Sequence, residues 1–266
     1  MTDTPIRSDV SISIHPDALS PHGKALEAKP GALATAQGAL ETAYRWIGAV
    51  NDAERVLTVL AKAEAPARRR QLPTGRSEYL GDLRLTSQGL RQFSGHEEEL
   101  SEAAGVHMER VTKRIDAARG ELERTAETLD KAIAFALTDD EATTTRGACL
   151  AAEVRAHVKS MKQGERFGFI QSAIKEGDLT TVAAILDGQP FLSGLKPEEW
   201  STARVLASEK FAPQSIKERE AVTKLMQAVD LAGGEVLTRF AKVQGGTDTP
   251  RAKANRELAK LKKGVA

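Results

Sequence analysis

Apolar residues return every three or four positions along most of this chain. From about 33 to 64, Leu33, Leu40 and Ile47 recur beside Ala36, Ala43, Val50 and Leu57, and the two rows merge into one stripe on an α-helix. Its polar face carries Glu41, Arg45, Asp52 and Lys62. A longer pattern follows. Met108, Ile115, Leu122, Leu129 and Ala136 make one heptad row and Ala104, Val111, Ala118, Thr125 and Ala132 the other, a 3-4 alternation that predicts a coiled-coil-like seam. Ser94 with Glu97 has the capping-box spacing and predicts the start of that helix, and Thr138 with Glu141 predicts the next. One row is heavy and the other mostly alanine, which suits close antiparallel packing. Residues 94–161 therefore read as a long helical hairpin, whose interface residues Met108, Val111, Ile115, Leu122 and Leu129 face either its own second limb or another subunit.

The flanking segments break the pattern. Residues 1–30 hold Pro5, Pro16, Pro21 and Pro30 among polar residues and read as an extended flexible arm. Within it Val10, Ile12 and Ile14 alternate with Ser11, Ser13 and His15, the period of a strand, which predicts an arm that docks on a partner. The 31–64 helix is followed by 65–93, where Pro66, Pro73 and three glycines accompany six arginines. This reads as an Arg-rich linker.

From 162 to 244 the elements shorten into a C-terminal helical region. Gly177 ends one helix and Asp178 or Thr180 caps the next. Gly188, Gln189 and Pro190 stop that helix, Phe191 and Leu192 read as core plugs, and Trp200 packs under a helix opened by Pro197. Ser215 with Glu218 predicts the last long helix, which Gly233 and Gly234 interrupt. Residues 245–266 form a basic tail. The expected fold is all-α, a long-helix bundle with an antiparallel coiled-coil-like hairpin and a smaller C-terminal helical region.

Composition narrows the function. Aromatics are 4% of residues, so helices approach on small side chains. The 38 basic and 37 acidic residues nearly cancel, which leaves nucleic-acid affinity to local clusters. Two such clusters are candidate phosphate contacts: Arg68, Arg69 and Arg70 in the linker, and Lys260, Lys262 and Lys263 in the tail. Little aromatic interleaving accompanies them. The single cysteine, Cys149, supplies neither a disulfide nor a CxxC pair and is expected to be buried in a helix. The N-terminus lacks the apolar core of a signal peptide, and no stretch reaches the length of a membrane span.

No phosphate loop, GxGxxG, HExxH or GxSxG occurs. His15, His22, His96, His107 and His157 are scattered without metal-ligand spacing. These features predict no enzyme, no catalytic or metal residue and no cofactor. The stretch TTVAAILDGQPFLSGLKPEEW, residues 180–200, resembles short passages of uncharacterised helical phage and prophage proteins. That resemblance implies a bacterial or phage origin and a place in or near a virion or its assembly. The expected function is a non-enzymatic structural or assembly protein in the cytoplasm, or in a virion assembled there, with protein partners or self-association and no membrane. The alternative is a nucleic-acid-binding accessory protein that uses the two basic clusters.

Overall fold

The computed structural model describes residues 4–69, 78–139 and 144–245, with side chains described except over 60–99. Two 3-10 turns, Ile12–Ile14 and Pro16–His22, precede α1 (Pro30–Arg69), α2 (Glu78–Ala136), α3 (Thr145–Ser160) and α4 (Gln163–Glu176). α5 (Leu179–Leu186), α6 (Pro190–Ser193), α7 (Pro197–Phe211) and α8 (Pro213–Gly245) follow. The fold is all-α, with no strand among the described residues. It divides into two compact units: Met1–Pro21, Leu33–Gly120 and Met226–Ala266 form the first, and His22–Ala32 and Glu121–Leu225 the second.

Several predicted boundaries move. α1 continues to Arg69 and α2 already runs from Glu78, so most of the 65–93 linker is helix and Ser94 opens nothing. Each added helical residue brings a hydrogen bond, and a single Gly costs only about 1 kcal/mol against Ala, so an established helix propagates through weak spots. α3 starts at Thr145 instead of after Thr138, because the Thr144 hydroxyl accepts the Gly147 N–H at 3.0 Å. α8 starts at Pro213, whose fixed φ suits a first helical position, and Glu218 accepts from the Gln214 amide.

In the first unit, α2 and α8 run antiparallel. A Cβ on Gly105 would lie 3.6 Å from Phe240, and one on Gly233 would lie 3.5 Å from Ile115. Arg119 pairs with Asp230 at 3.2 Å. Contact positions that fall on α2 as they rise on α8 fix the direction. Small residues at the crossing let the backbones approach. α1 joins them through Arg239 and Glu54, 2.5 Å apart, and through Gly38, over which Arg114 lies.

Residues 4–21 of the arm are folded on this unit, which corrects the extended, strand-like expectation. Its residues turn as 3-10 helix, with the His15 N–H donating to Ile12 O. Val10 and Ile14 therefore point inward while Ile12 is 64% exposed. The His15 ring is buried edge-on against Tyr44, and the Tyr44 hydroxyl accepts the Arg7 N–H at 2.6 Å. The surface that receives the arm is the chain's own α1.

The second unit is built around α5, where Val182 to Leu186 are all buried. A helix apolar on every side belongs in the middle of a core. α3, α4 and α7 pack on it, contributing Val158, Ile170, Ile174, Ala203 and Ala207. Gly177 takes φ +82°, and Asp178 donates its N–H to Ala173 O while its side chain accepts the Thr181 N–H. One glycine thus ends α4 and presents the cap of α5, as the sequence predicts.

Candidate functional site

The tip between Gly188 and Gly194 departs most from its sequence reading. Gln189 is extended, Pro190 takes the first helical position, and the four-residue α6 closes with Leu195 N–H donating to Pro190 O at 3.1 Å. Gly194 stands at φ +69°, which only glycine adopts without strain. Ser193 is buried and donates its hydroxyl to Pro190 O. A helix this short has room for one inward residue. Phe191 is consequently 67% exposed and Leu192 40%, where the sequence predicts core plugs.

Two arginines fasten the tip. Arg166 donates to three backbone carbonyls, those of Gly194 at 2.5 Å, Lys159 at 2.7 Å and Met161 at 3.1 Å, which closes the carbonyl end of α3 against that of α6. Arg155 donates to Ala184 O at 2.8 Å and lays its stem against Gly188, which Leu192 also approaches. These are charge-assisted bonds to groups that would otherwise lack partners at helix ends. The backbone next to the exposed Phe191 is thereby tied to α3 and α4 at Gly194.

Beside the tip, and sharing Gly188 and Gln189 with it, lies a notch of about 250 Å³ lined by Leu137, Leu186, Trp200 and Arg204. The Arg204 guanidinium sits 5.2 Å from the centre of the Trp200 ring. The indole N–H is buried without an acceptor among the described residues. Ala134 also lines the notch, and its neighbour Phe135 is 70% exposed.

The first unit has a larger groove, about 910 Å³, between α1, α8 and the arm, with Ile47 and Leu231 on its floor and rim. Its charges are largely spent on one another: Arg239 on Glu54, Arg55 on Asp9 and Asp52, Asp230 on Arg119. Arg7 holds the arm here, donating to Asp52 at 2.6 and 2.8 Å and to Asp9 at 3.0 Å. Its hydrogen bonds hold both carboxyls below the usual carboxylate range, and those to Asp52 and then Asp9 raise the guanidinium's own value.

The predicted interface residues lie where α2 is covered: Val111, Ile115, Leu122 and Leu129 are buried and Met108 is half-buried. The strict heptad fails beyond Leu122. Ala126 is buried where the pattern demands Thr125, and Ala132 is exposed while Leu137 is buried. An α-helix of 3.6 residues per turn drifts by about 20° per heptad, and this one keeps its natural winding. Of the docking residues, only Ile12 remains outside. Arg68 and Arg69 end α1 with side chains outside the described set, and Arg70, Lys260, Lys262 and Lys263 lie outside the described residues.

Cys149 is exposed, contrary to expectation, because α3 buries Ala151 and Val158 instead. His15 is buried, His107 and His157 are exposed, and no group of three His, Cys, Asp or Glu converges among the described residues. No described helix is long and apolar enough to cross a membrane. The arginine fasteners give no sequence signal, since nothing local separates a carbonyl-capping arginine from a solvated one; the two glycines bracketing Pro190 could have marked the tip. No family model, curated protein or solved structure matches the chain.

Proposed function

We propose that this chain is a non-enzymatic interaction protein that presents apolar side chains to another protein within an assembly. The observation that carries this reading is Phe191, 67% exposed on a tip fixed by Arg155 and Arg166. A large apolar side chain exposed on a hydrogen-bonded backbone has the form of an interface anchor, since the backbone's ordering cost is met before the partner arrives. The α2 row meets α8 of the same chain at Ile115 and Gly233, which moves partner contact from the seam to the surface. The resemblance of residues 180–200 to phage and prophage helical proteins supports a virion or its assembly as the setting.

Affinity capture from the source cells, run in parallel with wild type and a Phe135→Ser, Phe191→Ser double variant, tests this. The expected result is a stoichiometric partner kept by wild type in high salt and lost by the variant. Equal capture by both, or none that survives salt, would contradict it.

A further inference from the structure

We infer that the tip and the adjoining notch form one docking surface for an acidic, amphipathic segment of a partner protein. This rests on the interaction reading above and adds the chemistry of the partner. The tip offers a knob, Phe191 with Leu192, and the notch offers a recess floored by Leu137, Leu186 and Trp200. The two are continuous, because Gly188 and Gln189 line the notch while Leu192 rests against Gly188 and Gln189 begins the helix that carries Phe191. A recess of about 250 Å³ has room for one large apolar side chain. The matching segment therefore places one apolar residue in the notch and another over Phe191.

Charge selects the rest of that segment. Four cations border the surface: Arg155 against Gly188 and Arg166 against Gly194, both of which also donate to backbone carbonyls, with Lys159 against Gly194 and Arg204 over Trp200 as the two exposed ones. Asp187 is the acidic residue among the notch-lining side chains. Arg204 is exposed, so a carboxylate placed beside the bound apolar residue reaches it from solvent. An anionic membrane has the same charge but fits less well. Two apolar side chains bury less than a myristoyl chain, which alone holds a protein only marginally to a bilayer.

Panning a random peptide library against the full chain tests this surface. The expected winners combine Leu, Phe or Trp with Asp or Glu, and bind about tenfold or more weakly to Phe191→Ser and to Arg204→Gln. Both substitutions are on the surface and should leave the melting temperature unchanged. Arg204→Glu should shift selection toward Lys and Arg. Winners without acidic bias, or with binding indifferent to Phe191 and Arg204, would overturn the inference while leaving an interaction protein standing; an empty selection would count against both. Phosphatidylglycerol vesicles bound by wild type and not by Phe191→Ser would give the surface to lipid and overturn it. Dimerisation abolished by Phe191→Ser would give it to a second copy, with the same consequence.

Discussion

At Gly194 a backbone angle, a side chain and a surface meet. Its φ of +69° is costly for any other residue, by about 1–2 kcal/mol, and a Cβ there would lie 2.5 Å from Arg166 Nη1. Gly194→Ala should therefore lower stability by at least that amount in thermal melts and loosen the tip; an unchanged melt would mean Arg166 does not hold the carbonyl. Arg7 makes a second residue-scale prediction. Asp9 and Asp52 ionise below their ordinary range in the folded arm, so their contribution is present at neutral pH. As pH falls below about 4 the unfolded chain takes up protons first, and the contribution is lost through the lower folded values. Protection factors for amide exchange over residues 7–15, taken against the unfolded chain at the same pH, should fall on acidification. Asp52→Asn should bring faster exchange at neutral pH and a flatter acid response.

Elements show what a sequence displays and what it conceals. The all-α class, the Gly177 turn and the Asp178 cap are legible because each is a local matter of period or backbone angle. The arm was not, because Val10, Ile12 and Ile14 alternate as a strand would, and only the tertiary surface of α1 reveals that Ile12 faces out. The α2 seam was legible in part. A heptad and a 3.6-residue stripe coincide for two or three turns, then separate at Thr125. Substitution distinguishes them: Ala126→Glu puts a charge at a buried site and should unfold the second unit, while Ala132→Glu, an interface position under a strict heptad, should leave the melt unchanged. The reverse result would restore the coiled coil. Leu122→Ala should cost about 2–5 kcal/mol by chemical denaturation. The tip was hidden for a different reason: an apolar pair following a proline reads as core unless the helix is known to be too short to have an inside.

For the whole molecule, the division of labour is between seams closed within each unit and apolar side chains left outside. α2 meets α8 within the chain, and the arm is spent on α1. Among the described residues Phe135 and Phe191 are the most exposed large apolar side chains of the second unit, and the surface around Phe191 is the one proposed for a partner protein. The decisive measurement is the absolute mass of the purified full chain by light scattering after size exclusion, at low and at high salt. A monomer of 28.6 kDa under both conditions is the predicted result. A discrete, salt-resistant oligomer that Leu122→Asp with Leu129→Asp dissociates into folded monomers would show that the α2 seam belongs between subunits, and would contradict the closed seam on which the proposed surface depends.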